Sequence, residues 1–173
     1  MLDQDHFSSY AMGRWLRSDR SGRPVRSAVT GETLGVLGGV PDTAAMRDYA
    51  KTQGGPALRA LNFHDRARML KALALHLKEH RKALYELSFL TGATLADSQI
   101  DIDGGIGTLL VYASKGRREM PEGFVLPDGE VEVLSRDGSF LGQHVLTPRQ
   151  GISLQINAFN FPVWGMLEKL APS

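Results

Sequence analysis

At 173 residues the chain is long enough to bury one core, and its 42 % apolar content is that of a folded protein rather than a disordered one. A net charge of +1 with 23 % charged residues gives no overall field for holding nucleic acid or an anionic membrane surface. With no cysteine, a disulfide framework and any cysteine-ligated zinc or iron–sulfur centre are excluded.

No run of about 18 apolar residues is present, so no membrane span is expected. The start of the chain carries Asp3, Asp5 and His6 and lacks the basic-then-apolar layout of a signal peptide, and the expected location is the cytoplasm. Residues 1–12 have no period and read as a loose arm. Over 13–37, Trp15, Leu16, Val25, Val29 and Leu34 alternate with the turn residues Ser18-Asp19, Ser21-Gly22 and Thr30-Gly31-Glu32, which predicts short strands joined by turns. Arginines at 14, 17, 20, 23 and 26 beside Trp15 invite a nucleic-acid reading. Gly22 and Pro24 forbid the helix that would stack them, and Asp19 and Glu32 dilute the patch, so no nucleic-acid partner is expected.

Asp42-Thr43 is an N-cap for a helix over 43–52 that Gly54-Gly55-Pro56 should end. A second start at Asn62 leads into Phe63, Ala67, Leu70, Leu73 or Ala74, Leu77, Leu84, Leu87 and Leu90. This is helical spacing up to Gly92, in two helices or one long bent one. Within it, His76-Leu77-Lys78-Glu79-His80 has the H-x-x-E-H spelling of a zinc-protease helix. Lys71, Arg81 and Lys82 flank it and no third ligand is indicated, so these residues read as a solvated helix face and no metal ligand is assigned.

A third helical region spans 93–115, with Leu95, Ile100, Ile106, Leu109, Leu110 and Ala113 as candidate core and Asp97, Asp101 and Asp103 as an acidic edge. Asp101-Ile102-Asp103-Gly104 lacks the glycine position and closing glutamate of a calcium loop, and Gly104-Gly105-Ile106-Gly107 follows no strand as a phosphate turn would. Those small residues instead let this helix approach another closely or line a tunnel. Lys115, Arg117 and Arg118 place cations at the negative end of the helix. From Phe124 to Leu146, short apolar stretches separated by Asp128-Gly129 and Asp137-Gly138 predict a β-meander or hairpin too small to stand alone.

After Gly151, Ile152, Leu154 and Ile156 alternate with Ser153 and Gln155 as in a strand, which breaks at Asn157-Ala158-Phe159-Asn160-Phe161. Pro162 suits a first helical turn, and Trp164, Leu167 and Leu170 follow at helical spacing. Such a strand–corner–helix unit is where α/β proteins place chemistry. Asn160 is there either as a carboxamide donor for a developing oxyanion or as a cap of the helix.

Asn160-Phe161-Pro162, after a strand and before a helix carrying Lys169 and Ala171-Pro172, resembles the Asn-Phe-Pro segment of the NAD(P)-dependent aldehyde dehydrogenase superfamily. Ala158-Phe159 stands where that family usually has Pro-Trp. The wider wording, from Ile156 to Pro172 with Thr91-Gly92-Ala93-Thr94 and Gly104-Gly105-Ile106-Gly107-Thr108-Leu109, resembles the branch of semialdehyde dehydrogenases that act on ring-opened CoA thioesters in phenylacetate and benzoyl-CoA degradation. The resemblance covers residues 13–173 and about the N-terminal third of such an enzyme, so a partial sequence is expected.

What the resemblance implies is an α/β chain, the N-terminal portion of an aldehyde dehydrogenase-like fold. It divides into an arm (1–12), a small sheet with helices from the cofactor-binding domain (13–122), oligomerisation strands (123–148), and the first strand and helix of the nucleotide-binding region (149–173). Asn160 would hydrogen-bond the oxygen of the thiohemiacetal, and Lys169 would join a proton relay or stand as a surface lysine. Ile156, Asn157, Ala158 and Phe159 would pass NAD or NADP. Phe161 and Trp164 would face the aldehyde, which is CoA-linked in this branch, or pack in the core. The helix over 93–115 would border the substrate passage, and the strands would reach a neighbouring subunit of a homo-oligomer. The family's chemistry needs a cysteine nucleophile, so this chain alone is expected to be inactive. A non-catalytic module that pairs through exposed β-strands, and a fragment without activity, are the alternatives.

Overall fold

The computed structural model describes residues 7–16, 22–38 and 41–173. The first six residues of the expected arm, the turn at Ser18-Asp19, Arg17, Arg20, Ser21 and Gly39 lie outside them. Part of the arm is strand: β1 (Ser9–Ala11) pairs antiparallel with β2 (Arg14–Leu16), and Tyr10 meets Trp15 edge-on at 5.1 Å between ring centroids. Three residues are too few to show a period of two. The hairpin turn takes Met12 and Gly13 to φ 52° and 74°, the left-handed pair that a two-residue loop requires. A second hairpin, β3 (Arg23–Arg26) and β4 (Thr33–Leu37), turns around Gly31, where the Ser27 hydroxyl accepts the N–H groups of Val29 and Thr30 at 3.2 and 3.1 Å.

Helix α1 (Thr43–Tyr49) is capped by Asp42, whose Oδ1 accepts from the Ala44 and Ala45 N–H groups at 2.9 and 3.0 Å. It does not end at Gly54-Gly55-Pro56. A π-helical turn over Ala50–Gly54 leads directly into α2 (Gly55–Arg59), which places Pro56 in a first turn where its missing N–H is not needed.

Asn62 accepts the Asp65 N–H at 2.8 Å and opens α3 (Phe63–Phe89), a single unbroken helix of 27 residues. The Ala28 N–H donates to the Leu90 carbonyl at 2.9 Å and ties the second hairpin to the end of α3. The chain reverses through Gly92 at φ 90° into α4 (Leu95–Arg118), whose last turn carries Lys115, Arg117 and Arg118 against the helix dipole. The Tyr85 hydroxyl donates to Asp103 at 2.7 Å across α3 and α4. Burial first, then that bond, pushes the phenol above its ordinary value.

Ala74, Ile102, Ile106, Leu109 and Leu167 form the core, with Leu70, Leu73, Leu77 and Leu110 against it. Ile106, Leu109 and Ala113 are buried as expected, whereas Leu95 and Ile100 are exposed. The buried stripe of α4 also runs through Ser98, Asp101, Ile102 and Gly105: the Ser98 hydroxyl donates to Ser88 of α3 at 3.0 Å, and a further helix lies over Asp101 and Gly105.

Strands β5 (Leu126–Val133) and β6 (Leu141–Leu146) make one hairpin. Its tip is at Asp137-Gly138, and Gly129 at φ 79° lies in an irregularity within β5 rather than in a second turn. The expected strand over 152–156 is a further correction. Residues 152–158 form no ladder, because no described strand runs beside them to pair their peptide groups. Helix α5 (Pro162–Leu170) follows and packs on α4, burying Leu167. Among the described residues, no helix is long and apolar enough to cross a membrane.

Candidate active site

The corner at Asn160 takes its position from the seating of α5. Phe161, at the N-cap, has no side chain that can bind the first free N–H groups of that helix. Asp101 of α4 does so from outside: its Oδ1 accepts the Trp164 N–H at 2.7 Å and its Oδ2 the Val163 N–H at 3.2 Å. Only 3 % of Asp101 is exposed, so the residue read as part of an acidic edge is a buried remote cap. Burying a carboxylate is tolerable here because two donors and the positive helix end meet it.

Glycines complete the seat. A Cβ on Gly104 would lie 2.5 Å from the Trp164 ring, and one on Gly105 would lie 3.1 Å from both the Trp164 Cα and a Leu167 methyl. The small residues therefore serve close approach, as the sequence implied, and the glycines lie inside a helix rather than in a phosphate-binding turn.

With α5 held, Asn160 is exposed on the rim of a cavity of about 200 Å³. Thr91, Gly92, Ala93 and Asp97 form one wall and Phe159, Asn160 and Phe161 the other. Asp97 is fixed there by a capping box: its N–H donates to the Thr94 hydroxyl oxygen at 3.2 Å, and its Oδ2 accepts the Thr94 hydroxyl at 2.6 Å and N–H at 3.2 Å. Those bonds, the hydroxyl's first, hold its carboxyl below the ordinary value. Thr91 and Phe159 also line an adjoining apolar cavity of about 330 Å³ with Phe7, Val25, Leu34 and Leu87.

Of the predicted site residues, the structure brings Phe159, Asn160 and Phe161 together. Ile156, Asn157 and Ala158 are exposed on the segment beside them, Ile156 at 83 % and Phe159 at 85 %. Trp164 turns to Gly104 and is not part of the cavity wall. The Lys169 ammonium donates to the Gly165 carbonyl at 2.5 Å and to Glu168 at 3.4 Å, and it too lies outside the wall. Sequence reasoning missed Asp97 as a wall residue, although Thr94-Leu95-Ala96-Asp97 is a readable capping-box pattern. It also missed the role of Asp101, for which no local signal exists.

Ile156 and Phe159 offer exposed apolar side chains on this segment. No glycine-rich phosphate turn accompanies it among the described residues.

The profile of the aldehyde dehydrogenase family matches residues 15–173. The chain is 38 % identical over 168 residues to a 3,4-dehydroadipyl-CoA semialdehyde dehydrogenase from Aromatoleum evansii, covering 96 % of this chain and 32 % of that one. Two crystal structures of mutants of betaine aldehyde dehydrogenase from Staphylococcus aureus, both in complex with NAD+, superimpose with TM-scores of 0.56 and 0.58 at 22 % identity. They match 70 % and 75 % of this chain and 24 % and 25 % of their own, a likeness of fold alone. The chain thus spans about a third of the curated relative's length and about a quarter of theirs. A profile match over residues 15–173, nearly all of its length, makes this chain a member of the aldehyde dehydrogenase family.

Proposed function

We infer that this chain is the N-terminal part of an enzyme that oxidises a CoA-linked semialdehyde to the carboxylic acid with NAD or NADP, and that Asn160 is its oxyanion donor. One observation carries the reading. Asn160 does not cap α5, a task taken by Asp101, and its carboxamide makes no hydrogen bond among the described residues while it stands on a cavity rim. An uncommitted donor on a cavity rim is what a developing alkoxide requires.

In the overall reaction an aldehyde, water and NAD(P)+ give the acid, NAD(P)H and a proton. The attacking thiolate comes from polypeptide outside these 173 residues, since they contain no cysteine, and the chain by itself is inactive. When that sulfur adds to the aldehyde carbon, the oxygen gains charge and the Asn160 N–H donates to it. NAD(P)+ would supply the hydride acceptor, with Ile156 to Phe159 as the surface it lies against. Phe161, half-buried in the cavity wall, faces the aldehyde carbon chain. Trp164 acts by fastening α5 to α4, and Lys169 is given no step.

The relative from Aromatoleum evansii, named for a CoA-linked semialdehyde, supports the substrate class. Val131, Val133, Phe140 and Leu141 are exposed on the β5–β6 hairpin and are assigned to subunit contact in a homo-oligomer. The same apolar hairpin favours a second reading, a non-catalytic module that recruits a partner by strand addition. Asn160→Ala in the full-length polypeptide separates the two. It should lower kcat by about a hundredfold or more with little change in KM for the aldehyde, and near-normal turnover would remove Asn160 from the chemistry.

A further inference from the structure

We propose that His76, Glu79 and His80 form a surface site for one divalent transition-metal ion of the zinc, nickel and copper class. On α3 these positions are i, i+3 and i+4, and their ligand atoms all lie within 4.8 Å of one another. The two imidazoles face each other with centroids 4.4 Å apart. At about 100° per residue the three side chains fall in one sector of roughly 100°, while Lys78 and Arg81 lie about 100° outside it. Lys82 is nearer, but Glu79 makes no ion pair among the described residues and keeps its carboxylate available.

Two further observations separate this cluster from an ordinary solvated helix face. The His80 Nδ1 lies 2.9 Å from the His76 carbonyl oxygen of its own helix. Nδ1 is therefore the donor and carries the proton, and Nε2 carries the lone pair. That outer-shell bond orients a metal-binding imidazole and fixes its tautomer. The backbone beneath is also already rigid: Ala74 is fully buried and Leu73 and Leu77 pack on the core, so binding orders only side chains.

Two imidazole nitrogens and one carboxylate oxygen leave positions for water, and the donor set favours borderline ions over magnesium or calcium, which require oxygen donors. All three residues are exposed, so Glu79 serves as a ligand rather than as the base of a closed hydrolytic centre. The spelling alone read as a solvated helix face; the convergence of the three ligand atoms is the observation on which the proposal stands.

The test is calorimetric titration of the untagged 173-residue chain with Zn2+, Ni2+, Cu2+ and Mg2+ in buffer free of chelating anions. One equivalent should bind with copper tightest and magnesium absent. His76→Ala and His80→Ala should each weaken Ni2+ binding at least ~10-fold, Glu79→Gln less, and His144→Ala not at all. Line broadening by Ni2+ in amide spectra should centre on residues 76–80. Since the three side chains are exposed, the variants keep the fold, which far-UV circular dichroism verifies. Absence of saturable one-to-one binding, or binding that survives in the His76→Ala/His80→Ala double variant, overturns the proposal.

Discussion

Replacing Asp101 is the sharpest perturbation of the molecule that leaves its apolar core intact. Asp101→Ala deletes the only side chain among the described residues that receives the Val163 and Trp164 N–H groups, at 3.2 and 2.7 Å, and leaves both donors at the start of a helix with no side-chain cap of its own. A hydrogen bond to a charged acceptor contributes about 1.5–3 kcal/mol, and a lost N-cap costs up to about 2 kcal/mol. The two figures describe overlapping interactions, so a loss of about 2–4 kcal/mol is expected rather than their sum. At 3 % exposure little solvent screening reduces it. Asp101→Asn keeps one acceptor but turns an NH2 group toward the other donor, and should cost about 1–2 kcal/mol. In a Trp15→Phe background Trp164 is the sole tryptophan, and its emission, excited selectively over tyrosine, follows urea unfolding. In that background Asp101→Ala should lower the midpoint, shift the Trp164 emission to the red and speed amide exchange at Val163 and Trp164. A stability change below about 0.5 kcal/mol with an unaltered Trp164 signal would refute remote capping as the anchor of α5.

Gly104→Ala places a methyl carbon 2.5 Å from the Trp164 ring and should destabilise by about 1–3 kcal/mol, with partial recovery in a Gly104→Ala/Trp164→Leu pair measured in the same urea assay. At the tip of the β5–β6 hairpin, hydrogen bonds from the Ser139 and Ser135 hydroxyls and the Ser139 N–H hold the Asp137 carboxyl at about 2. The folded value lies below the unfolded one, so the tip's contribution is complete above about 4 and is lost as pH falls through 2. A carbon-detected NMR titration should place the Asp137 midpoint near 2, and a midpoint near 4 would contradict the tip geometry.

Local physics was legible where a side chain acts on its own backbone. Asp42, Asn62 and Pro162 each announced a helix start because capping needs only three or four neighbouring residues. The buried stripe of α4 was not fully legible, because Asp101 and Gly105, the buried positions that touch α5, look polar or neutral in any hydrophobic count. They are buried by a helix more than 55 residues downstream, a relation that no window contains. Asp128-Gly129 and Asp137-Gly138 are the same dipeptide, yet only the second turns the chain; pairing across the hairpin made the other a bulge. Alternation at Ile152, Leu154 and Ile156 predicted a strand that the structure lacks, because a ladder depends on a neighbour and not on the strand's own residues. Asn160 was reached through resemblance, and the structure adds the reason that it is not needed as a cap.

The ribbon over 152–158 has a kinetic consequence. The α3–α4 pair is assembled from residues close together along the polypeptide and can condense early, while Leu154 and Ile156, 85 % and 83 % solvent-accessible, wait with vacant peptide groups for a companion. Until one arrives, two copies of the ribbon compete for each other, and that encounter is second order. Recovery of native chain after dilution from urea should therefore decline as protein concentration rises, and the Leu154→Lys/Ile156→Lys double variant should flatten that decline.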